Sequence, residues 1–459
     1  MRKRFYVVEC ESVPNRTYFL RWLLCFCLPV VCLAQSPKKP TQVLFENVRV
    51  FDGKSDRLSS PVHILIEGNR IARISTSPIS LPAIASVTVI RGRGATLMPG
   101  LIDVHVHLTY GAMTMAQLLN PGLTGKDVDS LSALEARQML LRGFTSVRDV
   151  GGPVFGLKAG IDAGKYDGPR IWPSGATISQ TSGHGDLRLP HEQSRRFFGR
   201  ASRAEEMGAT FIADGRDEVL TAVRENLRRG ASQIKLMAGG GTSSAYDPVD
   251  VTQYTLDEMK AAVEAAEDWG TYVTVHAYTT RAVRRAIEAG VKCVEHGQLL
   301  DEETIKLMAE KGIWLSGQNL VANTPDMDPL RLQKRKPVIE GQARLWPLAK
   351  KYGVKMAWGT DFLFEPGLNS EQNAYILKLK PWFTSAEILK MITHDNAQLL
   401  ALSGLRSPYE GKLGTVEEGA LADLLLINGN PLAQLDLISN PEKYFRVIMK
   451  DGKIYKKAD

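Results

Sequence analysis
The chain has 459 residues, 44% apolar and 23% charged, the balance of a soluble globular protein long enough for two domains. Its formal charge is +7, and residues 1–34 carry three of those net charges. That modest excess, with no basic block or aromatic-basic patch, excludes nucleic acid as a partner.

Arg2, Lys3 and Arg4 precede an uninterrupted apolar run of 13 residues, Trp22 to Ala34. Such a run is too short for a membrane span but suits the core of a signal peptide. Cys32-Leu33-Ala34 before Gln35 supplies a cleavage site. Residues 1–34 are therefore predicted as a signal peptide. The mature chain is expected in the periplasm or outside the cell, with no stable membrane anchor. Four cysteines, Cys10, Cys25, Cys27 and Cys32, fall in or before this leader. Only Cys293 remains, so the mature chain has no internal disulfide.

From Val43 to Thr96 the pattern is β. Val43–Val50, Val62–Glu67 and Arg70–Ile74 read as strands, with Gly68-Asn69 as a hairpin turn. His63 in this region reads as structural. The same texture returns at Leu421–Ile427 and Phe445–Tyr455, the latter turned at Asp451-Gly452. Residues 42–96 and 406–459 are predicted to build one small β-sandwich domain from both termini. Between them, residues 97–405 alternate strands with amphipathic helices. The strands are Leu97–His107, Phe144–Val150, Arg170–Thr177, Gln233–Gly239, Val273–His276, Cys293–His296, Ile313–Gly317 and Met356–Asp361. The clearest helices are Arg216–Arg229, Leu256–Trp269, Arg281–Ala289 and Asp301–Lys311. Eight βα units predict an α/β fold of the (β/α)8, TIM-type barrel class. A doubly wound open sheet fits less well, because no Gly-x-Gly-x-x-Gly follows the first strand.

The reactive residues collect at the ends of these strands. His105 and His107 end the first, on one face of an extended strand. His276 ends the fifth, His296 the sixth and Asp361 the eighth. A lone His-x-His is most often a polar strand face turned to solvent. Four of the eight histidines at strand ends, together with a strand-end aspartate, point instead to metal chemistry. Lys235 lies inside the fourth strand, where a lone ammonium is costly. Either that strand face is wet, or the amine has been carboxylated by CO₂ to give an anionic ligand able to bridge two cations.

The ordered set His-x-His, strand-four lysine, two single histidines and strand-eight aspartate resembles the amidohydrolase superfamily over essentially the whole mature length. More narrowly, Ser-Gly-His-Gly-Asp at 182–186, Ala-Gly-Gly-Gly at 238–241, His-Ala-Tyr-Thr at 276–279 and Glu-His-Gly at 295–297 resemble its imidazolonepropionase-like and prolidase-like branch. The closing stretch from Gly414 to Asp423 resembles the family's returning β domain. That branch includes Xaa-Pro dipeptidases, carboxypeptidases and ochratoxin-degrading amidohydrolases. The resemblance implies two zinc ions per chain. His105, His107 and Asp361 would hold one, His276 and His296 the other, and carboxylated Lys235 would bridge them. It implies Asp361 as the proton carrier, His184 as a partner of the substrate carbonyl, and a homo-oligomer. Tyr278, just past His276, is a candidate to bind a substrate carboxylate.

His191 and His394 lie off the strand ends, and His394 reads as structural near a helix start capped by Thr393 or Asp395. Thr109–Ser130, Gln180–Gly215 and Asn319–Lys336 are candidate lids or specificity walls. Arg188, Arg195, Arg196, Arg200 and Arg203 crowd the second, as a draw for anions or as a solvated face. Arg281, Arg284 and Arg285 are candidate cationic partners for a substrate. The sequence thus predicts a metal-dependent hydrolase of amide or peptide bonds, acting on a small-molecule or peptide substrate whose scissile amide adjoins a free carboxylate. A cyclic-amide hydrolase, a deacetylase, or a non-catalytic metal- or ligand-binding barrel are the alternatives.

Overall fold
The computed structural model describes residues 41–81, 87–244, 246–320, 322–324 and 327–458. The expected signal peptide, residues 1–34, lies outside the described residues. Strands β1 (Gln42–Val50), β2 (Val62–Glu67), β3 (Arg70–Ser75), β4 (Val87–Arg91) and β5 (Thr96–Pro99) come first. The middle holds β6 (Leu101–Val106), β7 (Phe144–Asp149), β8 (Arg170–Pro173), β9 (Thr177–Ser179), β10 (Thr210–Ile212), β11 (Ile234–Met237), β12 (Val273–Thr279), β13 (Cys293–Leu299), β14 (Trp314–Gly317) and β15 (Lys355–Trp358). Strands β16 (Leu424–Ile427), β17 (Phe445–Lys450) and β18 (Lys453–Lys457) follow.

Strands from the two ends share one sheet, in the order β18-β17-β16-β5-β1-β2-β3, with β4 beside β1. Alternate residues of these strands, among them Phe45, Ile64, Leu97, Leu424 and Val447, close over one apolar cluster. Asp451 and Gly452 join β17 to β18 with φ of +55° and +71°, the left-handed pair that a tight hairpin needs.

The middle of the chain is α/β with parallel sheets. One sheet runs β6-β7-β8 and the other β10-β9-β11-β12-β13-β14-β15. Most of these strands are buried throughout, as expected of a parallel sheet covered on both faces. Helices Arg216–Arg228, Leu256–Asp268, Thr280–Ala289 and Glu302–Glu310 lie between them as expected. Thr255 and Glu258 form a reciprocal cap at the second, and Asp301 accepts the Thr304 N–H at the fourth.

Several expectations change. The predicted strand Arg170–Thr177 is two strands, β8 pairing with β7 and β9 with β10 and β11. The candidate loops Thr109–Ser130 and Gln180–Gly215 hold the start of the helix Gly125–Leu141 and strand β10, respectively. The predicted strand Leu97–His107 is two strands, because the chain leaves one sheet for the other at Gly100. Strand β5 pairs with β16 and β1, whereas β6 pairs with β7. A Cβ at Gly100 would stand 2.1 Å from Thr145 Oγ1, so only glycine fits the crossing. The apolar run passes through it unbroken and hides the switch. Asn319–Lys336 is not a loop throughout: Pro329–Tyr352 is a helix of 24 residues, capped by Asp328 and opened by Pro329. Its internal Pro337 and Pro347 break the helical pattern in the sequence. Thr393 and Asp395 do not cap a helix. Met391–Asp395 is a wide turn inside a continuous helical stretch, where Thr393 bonds Leu389 O and Asp395 faces His394 Nδ1 at 2.9 Å. Among the described residues, no helix is long and apolar enough to cross a membrane.

Strands β6 and β15 are joined by a side chain. The fully buried Asn396 donates to Ile102 O (2.6 Å) and Trp358 O (2.9 Å) and accepts the Trp358 N–H (3.0 Å). Asn396→Ala would orphan three buried backbone groups, each costing about 1–3 kcal/mol. The expected result is a drop in the denaturant midpoint matching a loss of at least about 3 kcal/mol. An unchanged midpoint would show that the two strands hold together without it.

Candidate active site
His105 lies on β6 and His107 follows its last residue, so the two project together into the end of the sheet. Nε2 of each is 3.2 Å from Asp361 Oδ1, three residues beyond β15. The donor atoms of these three residues all lie within 4.8 Å of one another. Asp361 has φ +57°, and its N–H bonds His105 O at 2.8 Å, which turns the carboxylate back over the histidines. His107 Nδ1 meets the carbonyl of Gly151 at 2.9 Å, and His105 Nδ1 meets Glu295 Oε2 at 2.8 Å. Both are acceptors, so each Nδ1 carries a proton, and each Nε2 faces Asp361 either as the second N–H of an imidazolium or as a lone pair beside a bound cation. Lone pairs and a carboxylate at that distance repel unless a cation or proton sits between them.

His276 and His296 complete the group. Their rings are 4.4 Å apart, and His296 is 5.2 Å from the His105 ring. His276 Nε2 donates to Gly240 O (3.1 Å), which leaves its Nδ1 as the lone pair. His296 Nδ1 is buried without a hydrogen-bond partner, 3.9 Å from Asp361 Oδ2. Burial, with cationic neighbours, holds both imidazoles well below their usual pKa, in the neutral form that can ligate. Burial alone would raise the Asp361 carboxyl. The adjoining imidazoles override it and hold the group well below the usual range. Lys235 is 1% exposed on β11, and its amine makes no hydrogen bond or ion pair among the described residues. Burial lowers its pKa, against the pull of Glu295 and Asp361.

All of these side chains line one cavity of about 430 Å³, together with His184 and Tyr278. His184 stacks on His276 at 4.0 Å, in room left by Gly241, whose Cβ would stand 1.9 Å from the His184 ring. Its Nδ1 is 2.8 Å from Ser244 Oγ and 3.4 Å from Asp247 Oδ2. The Tyr278 ring lies 5.0 Å from His276 and 5.1 Å from His296, and burial raises the pKa of its hydroxyl. Arg281, Arg284 and Arg285 do not line the cavity. Arg284 bonds Thr304 and Arg285 bonds Tyr254 O on the outer side. The basic side chains of the wall are Lys235, Arg188, Arg331 and Arg335. Of the crowded loop, Arg188 is held by Asp186 and Arg196 by Glu218.

Residues 96–455 match the profile of the amidohydrolase family. This chain belongs to the amidohydrolase family. An ochratoxinase from Aspergillus niger is 32% identical over 379 residues, spanning 79% of this chain and 76% of that protein. A crystal structure of an amidohydrolase superposes with a TM-score of 0.82 at 35% identity, covering 91% of this chain and all of the other. A crystal structure of a prolidase complexed with N-methylphosphonate-L-proline gives 0.82 at 32%, with the same coverage. The chain is an amidohydrolase, an enzyme acting on C–N bonds of the amide or peptide kind.

The amidohydrolase site has supports that sequence reasoning missed. Glu295, fully buried, takes His105 on one oxygen and Arg148 Nη2 (2.6 Å) on the other, where Thr274 also donates. Arg148 and His105 hold its carboxyl well below the usual range although burial opposes them. On a regular strand Glu295 and His296 face opposite ways. The left-handed backbone at His296, φ +80°, lets both reach His105. Asp247 and Arg335 were missed for lack of any local signal. Glu295→Gln keeps the shape but leaves the Arg148 cation facing a neutral amide. It should lower stability by about 3–5 kcal/mol and weaken metal retention about 10- to 100-fold. Denaturation together with chelator competition checks both, and wild-type values in both would remove Glu295 from the support of the site.

Proposed function
We propose that this chain is an exported, binuclear zinc amidohydrolase that cleaves the amide bond next to a C-terminal amino acid. Dipeptides, peptide C-termini and N-acyl amino acids, including ochratoxin-like compounds, make up its substrate class. The observation that carries the reading is the convergence of ligand atoms on one point. Two imidazole Nε2 atoms face Asp361 at 3.2 Å, and beside them His296 Nδ1 is buried without a partner. A cation relieves both, and neutral imidazole with carboxylate is the donor set that zinc takes. The names of the relatives, an ochratoxinase and a prolidase, support the amide next to a carboxylate.

In this reading His105, His107 and Asp361 hold one zinc and His276 and His296 the other. Lys235, once carboxylated, would supply the anionic oxygen ligand shared by the pair. CO₂ adds to a neutral amine, and the lowered pKa of Lys235 favours that form. The two parallel sheets close as a (β/α)8 barrel over residues 97–405, with a β-sandwich domain from 42–96 and 406–459. The protein assembles as a homo-oligomer in the periplasm or outside the cell, and the leader-like residues 1–34 support export.

When bound, the ions would acidify a water and polarise the scissile carbonyl. Asp361 accepts the proton of the attacking water and returns it to the leaving nitrogen. His184, anchored on its Nδ1 side by Ser244 and Asp247, donates a hydrogen bond to the carbonyl oxygen. Tyr278 stays protonated and donates to the substrate carboxylate.

Two measurements test this. Metal analysis should find about two zinc equivalents, lost together with activity on chelation. Asp361→Asn, assayed with its metal content checked, should turn over about 10²–10⁴-fold more slowly. One equivalent or none in active enzyme refutes the binuclear site, and near-wild-type turnover of the variant moves proton transfer elsewhere. Separately, amidating the substrate carboxylate should cost about ten- to a hundredfold in kcat/KM, the worth of one charge-assisted hydrogen bond. Equal values would favour a cyclic-amide hydrolase or a deacetylase.

A further inference from the structure
Asp103 is fully buried two residues before His105, yet its carboxylate stands outside the group of donor atoms and does not line the cavity. Its Oδ1 accepts the His105 N–H at 3.0 Å and the Thr360 N–H at 3.2 Å. Its Oδ2 accepts the Thr360 hydroxyl at 2.7 Å and Gln372 Nε2 at 3.0 Å. Among the described residues, no cation pairs with it. A buried carboxylate held by hydrogen bonds alone is costly, and a neutral side chain could fill the same space. The four bonds join three parts of the fold: strand β6, the turn after β15 and the helix Gln372–Ile376.

Two of those bonds act on the residue that precedes Asp361. Thr360 is held by its N–H and its hydroxyl together, and the next N–H, that of Asp361, bonds His105 O at 2.8 Å. The turn is therefore pinned to β6 at consecutive residues. Gly359 permits the approach: a Cβ there would stand 2.5 Å from His105 Cβ and 2.8 Å from Asp103 Oδ1. With φ +57°, Asp361 holds a conformation that persists only where its neighbours fix it. The orientation of Gln372 is set from behind. Its Oε1 accepts Arg142 Nε at 3.0 Å, and Arg142 pairs with Glu135. Gln372 therefore offers Asp103 its amide N–H and not its oxygen.

We infer that Asp103 is a positioning residue for Asp361: it fixes the turn that aims the proton-carrying carboxylate, and Arg142 and Gln372 hold Asp103 in its own orientation. It acts through Thr360 and the His105 backbone, from outside the cavity wall. The inference rests on the proposed proton transfer by Asp361 and adds what aims it. That transfer needs hydrogen-bond reach from the carboxylate to the attacking water and then to the leaving nitrogen. A misplacement on the order of 1 Å, caused by a change away from the chemistry, can slow turnover about 10²-fold.

Asp103→Asn tests this in the zinc-saturated full chain, with an N-acyl amino acid or dipeptide that the wild type cleaves. The amide keeps the shape and still accepts the two backbone N–H groups, but its NH2 faces that of Gln372. Turnover should fall about 10- to 100-fold while KM stays within about twofold, because aim is lost and ground-state binding is not. Adding Gln372→Glu supplies an acceptor for that NH2 which also receives Arg142, and should bring kcat back to within about threefold of the wild type. In the Asp361→Asn background, Asp103→Asn should change turnover by less than about twofold, since no proton carrier is left to aim. A general loss of folding would lower both backgrounds alike and would not answer to Gln372→Glu. Unchanged turnover in Asp103→Asn, or an equal loss in both backgrounds, overturns the positioning role. Near-wild-type turnover of Asp361→Asn itself overturns the reading beneath it. Where Asp103→Asn does not fold, Thr360→Val removes the hydroxyl bond alone. It should lower kcat at least about threefold, and an unchanged kcat overturns the inference.

Discussion

The carboxylate of Glu295 is the point on which the site depends. A charge with no exposed surface persists only when it is met by opposite charge and hydrogen bonds. Arg148 meets it from β7 and His105 from β6, while Thr274 reaches it from β12. The guanidinium also binds Val104 O at 2.6 Å and Tyr272 Oη at 3.0 Å. Arginine can do this because its planar fork offers five donors, and a lysine in its place could not span the same set. One ion pair thereby ties together the strands that carry His105, His276 and His296. It also fixes which nitrogen of His105 bears a proton, so the geometry of the site and its protonation state are settled by the same contact.

Two residues of the site also depart from regular backbone geometry. His296 and Asp361 both occupy the left-handed region that side chains beyond Cβ rarely adopt. Each such residue costs on the order of 1–3 kcal/mol and persists because its surroundings over-determine it. At Asp361 the constraint is the bond from its N–H to His105 O. At His296 it is the register of β13 between β12 and β14. In both cases the departure from regular geometry aims a side chain at the shared centre.

These facts decide what the sequence makes legible. His105, His107, His276, His296 and Asp361 can be read because each ends an apolar run, and that signal is local. The surface helices can be read from their 3.6-residue period, and the pairing of the two ends from their common β texture. Glu295 cannot, since strand alternation assigns it to the wrong face and only the φ of His296 corrects this. Arg148 looks like a stray charge in a buried strand because its partner lies 147 residues away. Arg335 hides in a helix whose internal prolines imitate a loop. The arginines of 281–285 mislead for the opposite reason. Their sequence neighbourhood is right, but Arg284 and Arg285 are tied to Thr304 and Tyr254 outside the cavity.

The terminal sheet also sets a timetable for synthesis. Strand β5 is complete at Pro99, but its partner β16 begins at Leu424, roughly 325 residues later in the chain. At ordinary elongation speeds that is on the order of half a minute during which the backbone edge of β5 has no mate. An unmated apolar edge is a template for pairing with other chains. Until its last strands emerge, the nascent protein therefore carries an open sheet edge along β5.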